Sequence, residues 1–220
     1  MSTAPVSASP AATVMLIQDS PGGITVLMVK RQSRGFFGGL MVFPGGGVEE
    51  YDTSDIAKQA VPGEYKDYEY RVAALRELAE ETGLALTPLG TIPAPEARGE
   101  ALLQAMIAAG TQFDPDRLVL ISRWITPEFV PRRFDTWFYL AEAIDPPPVR
   151  LDMAELVDHV WISADEALRL QEERDWKMFS PTIAHLRWLS AQSSVAEAVA
   201  TAEGFNGTPL IPNSIPSEMT

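Results

Sequence analysis

Three glutamates, Glu77, Glu80 and Glu81, crowd behind Arg76 in the run Arg76-Glu77-Leu78-Ala79-Glu80-Glu81-Thr82-Gly83-Leu84. On a helix, at about 100° per residue, their side chains share one arc of about 100°. Val72, Leu75, Leu78 and Ala79 fall on the opposite side. One face can therefore lock into a core while the other presents oxygen ligands at i, i+3 and i+4. Such a set suits a hard divalent cation, Mg²⁺ or Mn²⁺. Arg76 stands at the edge of the acidic face, where a bidentate pair can hold a carboxylate in one rotamer. An acidic helical face is also what solvation alone favours, so the flanking elements have to separate the two meanings.

Thr13–Gln18 reads as a strand, Pro21-Gly22-Gly23 as a turn and Ile24–Val29 as a second strand, together a hairpin. A loop with Arg31, Arg34, Gly35, Gly38 and Gly39 follows. Leu40–Phe43 is a short strand running into Pro44-Gly45-Gly46-Gly47. Glu49 to Glu69 is polar and without clear period, with Pro62-Gly63 inside it; it reads as an inserted loop, about 53–69, with a helical turn near Ser54–Ala60. Tyr70–Thr82 is the acidic helix, and Gly83 is placed to end it. Leu102, Leu103, Met106 and Ile107 form an apolar stripe on a helix over Glu96–Ala109. Leu118–Trp124, Thr136–Glu142 and Val157–Ile162 read as strands. Ala164–Glu173 and Pro181–Ala191 read as helices, and Pro146-Pro147-Pro148 as a rigid connector. Residues 1–12 read as a flexible tail, 13–192 as one domain and 193–220 as an extended tail. This mixed order predicts an α/β (α+β) fold, a mixed β-sheet flanked by helices.

With 220 residues, 46% of them hydrophobic and 21% charged, the chain can bury a substantial core. A net charge of −13 argues against a nucleic-acid partner, which selects a basic surface. It leaves room for a small phosphorylated ligand held by a few arginines and a metal. The absence of cysteine excludes disulfides, thiolate nucleophiles and cysteine zinc sites. His159 and His185, the two histidines, are expected to be structural. There is no basic n-region before an early apolar run, and no apolar run of about 18 residues. A cytoplasmic protein with no membrane partner is the expectation. An edge strand or the helix over 96–109 offers a surface for a homodimer.

From Arg76 to Leu84 the chain resembles the second half of the Nudix box, Gly-x5-Glu-x7-Arg-Glu-U-x-Glu-Glu-x-Gly-U, U being aliphatic. The first half departs from it. Asp52 stands where the family has glutamate. Twenty-three residues then separate Asp52 from Arg76 where the family has seven, which looks like an insertion of 16 residues. A loop insertion of this length costs little closure entropy. Arg31, Arg34, Phe36, Gly39 and Val42-Phe43-Pro44-Gly45-Gly46 resemble the segment that precedes the box in coenzyme A diphosphatases, the nearest likeness being the branch whose box is interrupted. Trp124-Ile125-Thr126-Pro127, Arg133-Phe134-Asp135-Thr136-Trp137-Phe138 and the segment from Trp161 to Leu168 are similar to that branch too.

The resemblance implies a Nudix-like α/β/α sandwich and a metal-dependent diphosphatase. Water would attack a phosphorus of a nucleoside diphosphate derivative, with Mg²⁺ or Mn²⁺ neutralising the phosphate oxygens. It implies Glu77 and Glu81 as direct metal ligands, with Glu80 binding a second ion or positioning the water. A carbonyl of Gly45 or Gly46 would complete the metal shell. Glu155 is the candidate extra ligand or general base, with Glu142 second. Arg31, Arg34, Arg132 and Arg133 are candidates for pairing with substrate phosphates. Trp124, Trp137 and Phe138 are expected to be core rather than a stacking platform. Coenzyme A or acyl-coenzyme A is the expected substrate, giving 3′,5′-ADP and a 4′-phosphopantetheine species. ADP-ribose or a nucleotide sugar is the alternative. NADH is disfavoured, because Pro93-Ala94-Pro95-Glu96 departs from the Ser-Gln-Pro-Trp-Pro-Phe-Pro-like signature of NADH diphosphatases. A Nudix fold kept as a ligand sensor or interaction module is the alternative of another class; retention of the box acids argues against it.

Overall fold

The computed structural model describes residues 7–33 and 38–203. A seven-stranded mixed sheet forms the middle layer. Its central strand β1 (Ser9–Ser20) runs parallel to β8 (Phe134–Glu142) along nine paired positions and antiparallel to β2 (Gly23–Arg31) over its second half. β7 (Val119–Ile125) covers the outer edge of β8, and β9 (Leu156–Ile162) pairs with β2. β1 and β2 diverge toward one end. Two short strands fill the gap, β3 (Met41–Val42) on β2 and β4 (Gly45–Gly47) on β1. That gap is where the site forms.

Alternation along the strands builds two cores. Ala12, Val14, Leu16 and Leu27 face one side with Val72, Leu75, Leu78 and Ala79, which belong to helix α2 (Tyr68–Thr82). Met15, Ile17, Val26 and Met28 face the other, with Leu186, Leu189, Val195 and Ala198. These last come from α5 (Ser180–Ser190) and α6 (Val195–Glu203); α4 (Ala164–Glu172) completes that layer. The architecture is an α/β/α sandwich, as expected.

The 16-residue insertion is ordered. A 3₁₀ turn (Glu50–Thr53) leads into α1 (Asp55–Ala60), which Ser54 caps by accepting from the Ala57 N–H at 3.1 Å. Ala57, Ala60 and Val61 are fully buried against Phe113 and against Leu102, Leu103 and Met106 of α3 (Glu100–Ala108). The insertion and α3 thus form one helical patch over the outer side of α2. Only the expected helical turn at Ser54–Ala60 was legible beforehand, because polar residues such as Lys58 and Gln59 hide the short apolar triplet.

Other boundaries also shift. β1 begins at Ser9, inside the expected tail of residues 1–12, because parallel pairing with β8 extends to Ser9. α6 occupies residues expected to belong to the extended tail. Val195, Ala198 and Ala202 make a buried stripe there, and their small side chains give little hydrophobic signal. Residues 204–220 of that expected tail, and residues 1–6 of the other, lie outside the described residues. A hairpin of β5 (Leu84–Thr87) and β6 (Gly90–Pro93) was not anticipated, although Pro88-Leu89-Gly90 is a turn signal.

Candidate active site

Helix α2 ends at Gly83, which adopts φ +69° and ψ +16°; its N–H donates to the Ala79 carbonyl. A residue with a Cβ would be strained there and would approach Arg150 Cβ at 3.0 Å. The apolar stripe lies on the sheet, which points the last two turns at the β1–β2 gap. Gly45 N–H donates to Glu81 Oε2 at 2.9 Å. A Cβ on Gly46 would sit 2.6 Å from the Glu77 carboxylate oxygens. Two helix carboxylates therefore rest directly on glycine backbone, and side chains at either glycine would push them out.

The acidic face is not a solvated face. Glu81 is only 1% exposed. Burial, reinforced by the Glu77 charge, pushes its carboxyl up to about 8; the Gly45 N–H and Arg31 oppose the rise. Burial raises Glu77 as well, against the pull of Arg76. The expectation that Glu81 points away from the core is corrected: the loop before β9 closes over the end of α2, with the Asp152 N–H donating to the Glu81 carbonyl, and β4 walls the other side.

Arg76 is almost wholly enclosed, 1% exposed. Nε and Nη2 donate to the two oxygens of Asp52 at 2.8 and 2.9 Å, Nη2 also to the Gly47 carbonyl at 2.9 Å, and Nη1 to Glu77 Oε1 at 2.7 Å. Burial disfavours the charged guanidinium, but the bonds to Asp52 and Glu77 outweigh it and hold it charged. Asp52 is fully buried. The aspartate at the start of the interrupted box thus anchors Arg76, and Arg76 in turn fixes Glu77.

Glu80 accepts from the Gly99 N–H at 2.8 Å and lies 3.4 Å from Arg76 Nη1. Glu155 is brought to the site: Arg31 lies 3.5 Å from both Glu81 and Glu155. Glu142 is not. It pairs with Ile17, whereas Gly45 pairs with Thr13. Four residues along a strand put it about 13 Å away. Arg133 lies at the start of β8, its Nε donating to the Thr126 carbonyl at 3.0 Å. The Arg132 guanidinium sits 5.3 Å from the Phe134 ring centre. Arg34 and Phe36 lie outside the described residues. Trp137 stacks on Tyr70 with ring centres 4.7 Å apart, and Phe138 and Trp124 pack in the second core, as expected of core aromatics. His185 is fully buried, bonded to Ser122 and the Pro181 carbonyl and stacked on Phe138. His159 is half-buried on β9 opposite Val29.

Arg98 and Asp152 were missed. Arg98 contacts Asp152 and lies 3.1 Å from Glu155. Neither residue belongs to a motif; tertiary folding alone joins them to the box.

A family model for the NUDIX domain matches residues 8–182. The chain belongs to the Nudix family. A crystal structure of a Nudix hydrolase from Alicyclobacillus acidocaldarius superposes with a TM-score of 0.78 at 32% identity, over 90% of this chain and 97% of that one. Among curated Nudix proteins, "Putative nudix hydrolase 7" of Caenorhabditis elegans is 35% identical over 152 residues, covering 65% of this chain and 48% of that protein. Acyl-coenzyme A diphosphatase NUDT19 of Homo sapiens is 29% identical over 156 residues, 60% of this chain and 42% of that protein. The matches thus span less than half the length of these curated Nudix relatives.

Nudix hydrolases generally use divalent metal ions. The donors here fit that chemistry in kind: Glu77, Glu80 and Glu81 offer only oxygen donors, and burial beside Glu77 raises Glu81 in spite of Arg31, a balance that a cation would reverse. Among the described residues, no three acidic or imidazole side chains converge as a preformed cation cage. Their oxygens turn instead to Arg76, Gly45, Gly99 and Arg31.

Proposed function

We propose that the protein is a metal-dependent diphosphatase acting on coenzyme A or acyl-coenzyme A, releasing 3′,5′-ADP and a 4′-phosphopantetheine species. The observation that carries the reading is the pair of buried Glu81 and partly buried Glu77, seated on Gly45 and Gly46. Two carboxylates forced together in low dielectric favour a divalent cation strongly. Glu77 and Glu81 would hold the Mg²⁺ or Mn²⁺, with Glu80 within reach of a second ion. A bound ion would neutralise the diphosphate oxygens and lower the pKa of a coordinated water. Arg76 keeps Glu77 in one rotamer from behind. Glu155, at the open mouth, would take the proton of the attacking water as the phosphorus–oxygen bridge breaks. Arg31 would pair with a substrate phosphate, as would Arg34 and Arg133 if a 3′-phosphate reaches them.

The coenzyme A assignment is supported by the similarity to the human acyl-coenzyme A diphosphatase and by the interrupted box. A panel of coenzyme A, acyl-coenzyme A, ADP-ribose and NADH, incubated with Mg²⁺ or Mn²⁺ and followed by chromatography, tests it. Turnover of the coenzyme A compounds is expected. Turnover of ADP-ribose alone would overturn the substrate, and no turnover at all would overturn the enzyme.

A further inference from the structure

Arg98 lies on the loop between β6 and α3, its side chain 47% exposed. Nη2 contacts Asp152 and lies 3.1 Å from Glu155 Oε1, and Nε lies 3.6 Å from Glu80 Oε2. The loop is fixed from beneath by the bond from the Gly99 N–H to Glu80. Arg31, from the end of β2, reaches the other oxygen of the same glutamate, Nη2 to Oε2 at 3.5 Å. Glu155 therefore sits between two guanidinium groups carried by two separate elements. It is itself 42% exposed, so the ion pairs it gives up on leaving this position are weak.

We propose that Arg31 and Arg98 form an anion clamp in which Glu155 holds the place of a substrate phosphate group. The inference rests on the diphosphatase reading and deepens it by naming the group that takes the phosphate. A guanidinium presents paired N–H donors that match two oxygens of a carboxylate or of a phosphate equally well. A phosphate carries the greater charge and competes for both arginines at once. Displaced, Glu155 is released beside Glu81, where a proton acceptor is wanted. Glu80 then acts as a positioning residue, holding the Arg98–Gly99 loop at the mouth. A pure staple between the two loops would leave Arg98 bound to its carboxylates throughout.

Titration calorimetry of the full chain with inorganic diphosphate in EDTA separates the two roles. The wild type is expected to bind. Arg98→Ala is expected to weaken binding at least about tenfold, the worth of a charged hydrogen bond, and Arg98→Lys to recover part of it. Glu155→Gln is expected to tighten binding severalfold, because the competing carboxylate has lost its charge. Unchanged affinity in Arg98→Ala, weaker binding in Glu155→Gln, or no binding by the wild type would overturn the clamp. The same variants run on the substrate panel keep the two readings apart. Diphosphate binding as expected without turnover removes the diphosphatase, whereas turnover with an unchanged KM in Arg98→Ala removes the clamp alone.

Discussion

At the residue scale, Glu81 concentrates the conflict of the site. It is buried, touches a backbone N–H and faces Glu77. A carboxyl whose folded value is raised from 4.5 to about 8 favours the protonated form in the fold. Metal-free stability is then fullest below the ordinary carboxylate range and is lost as pH rises toward 8. Glu81→Gln keeps an oxygen for Gly45 and removes the charge. We expect it to raise the metal-free melting temperature at pH 7.5, by a stability on the order of 1 kcal/mol or more, while cutting kcat by about a hundredfold or more. Addition of Mg²⁺ should raise the melting temperature of the wild type and not of the variant. Scanning fluorimetry with and without EDTA reads both; a variant that gains from Mg²⁺ like the wild type would deny Glu81 the metal.

At the element scale, the insertion and the box helix are coupled through one buried ion pair. Asp52 precedes α1, Arg76 lies in α2, and α1 shares its core with α3. The insertion thus lengthens the connection without loosening the anchor. Asp52→Asn turns an amide toward guanidinium donors and strands a buried charge. It is expected to cost about 3 kcal/mol, measured as a shift in the urea midpoint, with Glu77 losing its fixed rotamer and activity falling too. A shift below about 1 kcal/mol would mean that the Gly47 carbonyl and Glu77 satisfy Arg76 alone.

At the scale of the whole molecule, the sheet carries the candidate site on one face and a second helical layer on the other. His185 joins α5 to β7 and β8 at the centre of the second core. Burial lowers its pKa from 6.5 to about 4. A histidine held neutral in the fold loses stability as pH falls through 6.5, and the loss is complete below about 4. We expect the wild type to lose about 2 kcal/mol between pH 7 and pH 5 from this group. His185→Gln should flatten that slope in urea titrations at the two pH values, and an equal slope would refute the assignment. Glu81 acts in the opposite direction over higher pH, so with EDTA the two faces bracket an optimum near pH 5 to 6.

Period and punctuation made much of this legible in the sequence. The stripe Val72, Leu75, Leu78, Ala79 and the stop at Gly83 placed α2 within two residues, because those signals are local. The apolar run Val14, Met15, Leu16, Ile17 marked a strand, and the spacing of Glu77, Glu80 and Glu81 put three carboxylates on one helical face. The β5–β6 hairpin and α6 escaped because their short or small-residue patterns acquire meaning only when packed. Tertiary structure alone decided the electrostatics. Whether an acidic helical face meets water or a glycine wall is not written in its spacing; it depends on where β4 and the loop before β9 lie. That placement buried Glu81, made Asp52 the anchor of Arg76, removed Glu142 from the site and brought in Arg98 and Asp152. Charges separated by tens of residues interact only through the low dielectric and short distances that folding creates.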